Sequence, residues 1–439
     1  MRVAIHTLGC KVNQYESQAM EELLRARGHS LVPFEAQADV YLINSCTVTA
    51  TSDKKSRQAV RQARKRAPGA LVALCGCYPQ VSPEAAQQLE ADLIGGSGDR
   101  RGFLDLLEQL VRTRKKAVAL DDPFRRRVFE PLPAGGLEGR TRAMLKVEDG
   151  CTNFCAYCII PMIRGRFRSR PEEAILAEAE NLAQAGMKEL IVVAQDTSRY
   201  GTDLPGHKRL LAELLRQLCR IDGIHWVRVH YLYPDEIDEE LMEVLAEEPK
   251  IVKYLDIPIQ HIHDGILRRM NRRGDGAYVE ALFRKLRERI PGLVLRTSLI
   301  TGLPGEGEEE FAQLCQFLKR MKLERVGAFS FSPEEGTPAA AMEHPDAETA
   351  QARAEIIEEL QSRIMDQYNE SLLGKTMEVL CDGYDPEEGR YYGRTYADSP
   401  DIDGKVWFTA SSPVKTGSFC QVRITGVQDG ELVGQEGMA

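Results

Sequence analysis

An uninterrupted apolar stretch of the roughly 18 residues needed to carry a helix across a bilayer is missing from this 439-residue chain. No membrane helix is therefore expected. The N-terminal MRVAIHTLGCKVNQ has no basic segment followed by a long apolar one, so nothing marks the chain for export, and the cytoplasm is the expected location. A positive balance is missing too. The formal net charge of -9 argues against a protein that coats nucleic acid, though not against a local basic face. The cysteines do not come in an even number. Eleven of them spread over a long chain fit reduced, metal-binding thiols better than a disulfide framework. Repeats, low-complexity tracts and coiled-coil heptads are absent as well. What remains, with 43 % hydrophobic and 28 % charged residues, is a chain long enough for two or three domains, each with its own core.

The expected fold class is α/β with an all-β appendage. Residues 1–115 alternate the apolar runs RVAIHTLG, DVYLINS and LVALCG with helical patterns that end at Gly28 and near Pro68, which predicts a small open parallel α/β domain. A linker is expected over 116–140, where PLPAGGLEGR is rich in Pro and Gly. Over 141–370 six apolar runs, AMLKVE, ELIVVAQ, WVRVHYL, YLDIPIQ, LVLRTSLIT and VGAFSFS, alternate mostly with amphipathic stretches and predict an open or closed (β/α)6 barrel. From 373 to 439 short β runs separated by Gly, Pro and Asp predict a small all-β module.

Residues 151–158 read CTNFCAYC, with three cysteines at C-x3-C-x2-C spacing. A zinc site wants four protein ligands, and no fourth Cys or His stands at zinc-finger spacing. A [4Fe–4S] cube has four irons, so Cys151, Cys155 and Cys158 would leave one iron for another ligand. The loop follows the first predicted barrel strand and opens at the rim where barrel enzymes place their chemistry. A zinc site or three unligated thiols are the plainer alternatives. The motif, with aromatic Tyr157 before its last cysteine, resembles that of the radical S-adenosylmethionine superfamily, which implies that the barrel is a partial (β/α)6 one. The resemblance implies that S-adenosylmethionine chelates the open iron, and that an electron from an external donor cleaves it to a 5'-deoxyadenosyl radical able to abstract hydrogen. LITGLPGE (299–306) resembles that superfamily's adenine-binding stretch, with Gly302 and Gly305 approaching the nucleoside. Gln195, Asp196, His230, Gln260 and His261, at other strand ends, are expected to face the same rim. For His225, His230, His261 and His263 taken singly, a structural role is the first expectation.

Cys10, Cys46 and Cys77 each fall at the C-terminal end of a predicted parallel strand, the edge where ligands bind in open α/β sheets. They should converge, again as three ligands. Inert buried thiols are the alternative, and the expected role of Cys75, Cys219, Cys315, Cys381 and Cys420. The contexts TLGC, NSC and GCYPQ resemble the N-terminal domain of the methylthiotransferases, a likeness that runs through the barrel to a C-terminal TRAM domain. It implies two [4Fe–4S] clusters, one holding a sulfur that is methylated and one supplying the radical, and the insertion of a methylthio group at a C–H bond.

Branches of that family act on adenosines near the anticodon of transfer RNA or on an aspartate of a small-subunit ribosomal protein. AQDTSRYG (194–201), RVHYLYPDEI (228–237), YLDIPIQH (254–261), SPEEGTPAA (332–340) and GRTYADSPDIDGKVWF (393–408) resemble the ribosomal-protein branch. Residues 373–439 carry six basic against eleven acidic side chains, the wrong sign for an RNA module and a suitable one for a basic ribosomal protein. An ordinary solvated acidic surface explains the charge equally well. TLGCKVNQYES and INSCTVTATSDKKSRQ look more like the transfer-RNA branch, and Lys54, Arg57, Arg61, Arg64 and Lys65 share one face of a predicted helix over 53–67. That face suits RNA or plain solvent. The expected activity is methylthiolation of an aspartate in ribosomal protein twelve of the small subunit, with the protein or the subunit as partner and transfer RNA as the alternative substrate. A metal-stabilised, non-catalytic RNA- or ribosome-binding protein is the alternative of another kind.

Overall fold

Val12, Tyr15, Ala19, Met20, Leu23 and Leu24 recur at three- and four-residue spacing. In the computed structural model, which describes residues 1–47, 49–133 and 141–437, they line the buried face of the helix Lys11–Ala26. This helix follows the first strand of a six-stranded parallel sheet ordered Ser30–Val32, Arg2–Thr7, Val40–Ser45, Leu71–Gly76, Leu93–Gly95, Ala117–Ala119. The order reverses between Arg2–Thr7 and Val40–Ser45, and at such a switch point a crevice opens at the C-terminal edge of the strands. Ala117–Ala119 lies inside the expected 116–140 linker, so the first domain extends further than the sequence indicated. The three-residue strands carry too few apolar positions to show a period. Of PLPAGGLEGR, residues 134–140 lie outside the described residues.

The second sheet has six parallel strands in the order Arg325–Ser330, Val294–Thr301, Ile251–Asp256, Trp226–Val229, Glu189–Val193, Arg142–Lys146. Its two edge strands do not pair with each other, so of the open and closed forms that six β/α units allow the barrel is open. Tyr15, Met20 and Leu24 share a core with Met144, Ile191 and Val193. Each such fully buried side chain stabilises by about 1.5–3 kcal/mol, which fixes the first domain against the open barrel.

The C-terminal module is a closed five-stranded barrel; the sequence shows four of its strands but not Glu431–Glu436. Its loop Thr395–Asp403 leaves the module and enters the base of the large barrel. Thr395, Ala397, Asp398 and Ser399 are buried there. Arg325 donates to Asp398 at 3.1 Å, Tyr254 to Asp403 at 2.7 Å, and Lys11 Nζ to the carbonyl of Pro400.

Candidate functional site

The CTNFCAYC loop is closed at its base by backbone. Cys151 N–H donates to Gly165 O at 3.1 Å, and Gly150 (φ +90°) lies where a Cβ would stand 2.3 Å from Arg166 O. Within the loop Cys158 N–H donates to Cys155 O, and Phe154 takes a left-handed φ of 47° with its ring about half exposed. Asn153 donates to Asp196 Oδ2 at 2.7 Å, tying the loop to the end of the second strand.

Cys151, Cys155 and Cys158 line a cavity of about 170 Å³ at the C-terminal ends of the barrel strands. Tyr157, Gln195, Asp196, Tyr231, Gln260 and Arg272 line it too. A second cavity, of about 280 Å³, borders the same Tyr157, Cys158 and Gln260 and extends to Ser298, Ile300 and, from the first domain, Thr49. Gln195 accepts from Gly150 N–H at 2.8 Å and donates to Asp149 at 3.2 Å. Gln260 has φ +70° and bridges to the Leu299 strand.

Other expected positions lie elsewhere. Gly302 and Gly305 are not among the residues lining these two cavities. Both take a positive φ, and a Cβ on Gly302 would stand 2.3 Å from Ala350 Cβ. His230 is turned into the barrel, bonded to Asp256 at 3.3 Å and Ser399 at 3.1 Å, and His261 packs on Glu306 at 3.3 Å; neither lines the two cavities. His225 pairs with Glu378 at 2.9 Å. His263 stands at the N-cap of helix Asp264–Arg269.

Cys10, Cys46 and Cys77 follow three neighbouring strands of the first sheet, at and beside its switch point. A Cβ on Gly9 would lie 2.7 Å from Cys46 Sγ, so residue 9 has no room for a side chain. Asn13 binds this crevice together: its Nδ2 donates to Leu8 O at 2.8 Å and Ser45 O at 3.0 Å, and its Oδ1 is 3.9 Å from Cys77 Sγ. Burial pushes the Cys77 thiol up to about 12; Arg164 opposes the rise, while Cys46 and Cys10 add to it. Cys158 is likewise raised to about 12 by burial and by Cys155. Thiols this reluctant to ionise become thiolates when a metal takes the place of the proton. Among the described residues no three His, Cys, Asp or Glu side chains are arranged to hold a single metal ion. A cluster, which gives each thiolate its own iron, does not demand that tight geometry. Three sulfurs and an open position fit such a group at each site. Cys75, between the ligand candidates, points into the hydrophobic core under the sheet.

The two triplets share a wall. Cys77 packs against Ile159, which directly follows the CTNFCAYC loop, and Ile163, in the short helix after it. Tyr231 lines the first cavity, while its hydroxyl meets the backbone amide of Lys11 and lies close enough to Cys10 to feel its charge. Two buried arginines were not legible as site residues. Arg272 donates to Cys155 Sγ at 3.9 Å and to Tyr157 Oη at 3.4 Å, with its guanidinium 4.1 Å from the Tyr233 ring centre. Arg164 approaches Cys77 Sγ at 3.9 Å. Their only sequence signal is that each lies in a basic run, IRGRFRSR or NRRG.

Residues 2–96 match an uncharacterized protein family, UPF0004, residues 145–318 the Radical SAM superfamily, and residues 373–436 the TRAM domain. Over 99 % of its length the chain is 38 % identical to the ribosomal protein uS12 methylthiotransferase RimO of Lachnoclostridium phytofermentans, 99 % of which is covered. It is 40 % identical, again over 99 % of its length, to the protein of that name from an Anaeromyxobacter species, 92 % of which is covered. Among solved structures it is similar to the radical S-adenosylmethionine methyltransferase TsrM of Kitasatospora setae, with a TM-score of 0.56, 16 % identity and coverage of 77 % of this chain and 76 % of that one. The cobalamin-dependent S-adenosylmethionine radical enzyme OxsB gives 0.53, 14 %, 89 % and 64 %. Both likenesses concern the fold alone.

Proposed function

The chain belongs to the RimO family of ribosomal protein methylthiotransferases, and from that premise we propose that it inserts a methylthio group at the β-carbon of an aspartate in ribosomal protein uS12. The observation that carries the chemistry is that Cys77 of one three-cysteine group packs against Ile159 and Ile163, just beyond the loop that carries the other. When bound, S-adenosylmethionine and two [4Fe–4S] clusters supply reductive cleavage at one site and a sulfur for methylation at the other.

In this reading Cys151, Cys155 and Cys158 hold the first cluster, and Cys10, Cys46 and Cys77 the second. Gln195 and Gln260 orient the cofactor from opposite sides of the cavity, and Tyr157, held by Arg272, walls it. Phe154, half exposed at the loop tip, excludes water once substrate is seated. A one-electron donor must reach the loop from outside the chain. Among the described residues no helix is long and apolar enough to cross a membrane.

The charge argument for a protein substrate is narrower in the folded chain. Asp382, Asp398, Asp401 and Asp403 pair with Arg394, Arg325, Arg142 and Tyr254 at the inner face of the C-terminal module. The outward surface is therefore less acidic than the composition implies, and the substrate assignment rests on the full-length relatives. One observation favours transfer RNA as a second reading: Lys54, Arg61 and Lys65 are exposed on helix Ala50–Arg66, whose N-cap Thr49 lines the second cavity. Arg57 and Arg64 are engaged with Tyr78 and Asp92.

Replacing single cysteines tests the division of labour. Cys155→Ala should abolish 5'-deoxyadenosine formation under dithionite, whereas Cys46→Ala should keep it and lose methylthiolation of uS12. Wild-type deoxyadenosine formation by Cys155→Ala, or full product from Cys46→Ala, would sink the assignment.

A further inference from the structure

The helix Ile160–Arg164 begins immediately after the Cys158 loop and ends on Arg164, which is 1 % exposed and points into the first domain. Its Nη2 donates to Asn13 Oδ1 at 2.7 Å and Glu16 Oε2 at 3.1 Å, and lies 3.9 Å from Cys77 Sγ; its Nη1 pairs with Glu16 Oε1. Glu16 is shared between Arg164 and two further cations. Arg100 already donates to it at 2.6 Å and Lys146 at 2.9 Å. Asp149, also buried, is held by Arg168 at 2.9 Å and Lys146 at 3.2 Å, with Arg164 Nη1 at 3.6 Å. Arg100, Lys146, Arg164 and Arg168 thus face Glu16 and Asp149, with partly buried Glu130 at the rim receiving the Arg100 N–H, while buried Glu148 beside Asp149 is pushed toward its neutral form by burial and by Asp196. Positive charge is in surplus in a buried place, where unbalanced charge is costly, and the thiol group that it faces is Cys10, Cys46 and Cys77.

We propose that Arg164 is a positioning residue that aims this surplus at the sulfur of Cys77 and raises the reduction potential of the cluster bound there, so that a residue of the cofactor-cleaving loop tunes the sulfur-donating site. The inference rests on the reading of Cys10, Cys46 and Cys77 as cluster ligands. Its physical basis is that hydrogen bonds and positive charge at a cluster's sulfurs favour the more negative, reduced form. Removing them moves the potential down.

The test uses the full-length chain in which Cys151, Cys155 and Cys158 are replaced by Ala, reconstituted anaerobically so that paramagnetic resonance reports one cluster through a redox titration. Arg164→Gln should give a more negative midpoint than the parent at equal iron content, and Arg164→Lys a value between them. An unchanged midpoint in Arg164→Gln overturns the proposal. Should that variant fail to fold, Arg164→Lys decides, since its ammonium keeps the ion pair with Glu16 but cannot also reach Cys77: a negative shift supports the proposal and the parent value refutes it. Failure of the parent to assemble any cluster is a different result, because it removes the ligand reading itself. In the otherwise native enzyme, Arg164→Gln should keep 5'-deoxyadenosine formation within two-fold and lose at least ten-fold in methylthiolation. Equal losses of both would place Arg164 in the cofactor-cleaving site instead and contradict the inference.

Discussion

Ser399, in a loop of the C-terminal module, shares a 3.1 Å hydrogen bond with His230 inside the large barrel. A small β module of this kind need only be tethered to its neighbour. Here its loop Thr395–Asp403 is part of the neighbour's interior, and through Lys11 and Pro400 it reaches the residue beside Cys10. Stability of the base of the barrel and shape of the crevice that holds Cys10, Cys46 and Cys77 are therefore linked through one loop.

Asp398 should be the position in that loop most sensitive to change. It accepts from Thr395 N–H at 3.0 Å and from the Thr395 hydroxyl at 2.7 Å, and it pairs with Arg325. Asp398→Ala leaves Arg325 buried without its main partner, and removing one member of a buried pair costs about 3–5 kcal/mol. Urea unfolding should show a loss of that order. A loss under about 1 kcal/mol, the level of an exposed ion pair, would mean that the loop is not seated as described.

Glu189 gives the fold a specific acid weakness. Burial alone would raise its carboxyl, but Arg394 and Arg228, each 2.7 Å away, outweigh burial and hold it at about 2 instead of 4.5. A carboxylate whose folded pKa is depressed adds stability above its unfolded pKa and loses it as the pH falls toward the folded value. Stability should therefore drop between pH 4.5 and about 2. In Glu189→Gln the dependence across that window should flatten by one proton. An identical pH profile for the variant would contradict this role for Glu189.

Gly9 should be required for one cluster and indifferent to the other. Alanine there meets Cys46 Sγ at 2.7 Å and must also adopt a φ of 99°. Gly9→Ala is expected to bind about four irons where the parent binds about eight, the content of two cubane clusters, while still producing 5'-deoxyadenosine. Full iron content in the folded variant would show that the crevice accommodates a methyl group.

Much of this site was legible because its signals are local. CTNFCAYC is a single loop, and the placing of Cys10, Cys46 and Cys77 needed only that three apolar runs be parallel strands; LVALCG matches the strand Leu71–Gly76 residue for residue. What was hidden depends on residues distant in sequence. Arg164 and Glu16 lie 148 residues apart, and nothing in IRGRFRSR distinguishes a buried arginine from a solvated one. The aspartates of ADSPDID read as acidic surface because their partners, Arg325 and Tyr254, belong to another domain. At Gly302 and Gly305 the glycine signature was legible, but Ala350, which leaves no room for a Cβ on Gly302, was not.

The most direct measurement of the central claim is an anaerobic competition. Reconstituted enzyme, reductant, sulfide and methyl-labelled S-adenosylmethionine would meet uS12 and transfer RNA together, with mass spectrometry following the label. A methylthio group on an aspartate of uS12 is the predicted result. Label on an adenosine, with uS12 unmodified, would contradict it and make the basic face of Ala50–Arg66 the better guide to the substrate.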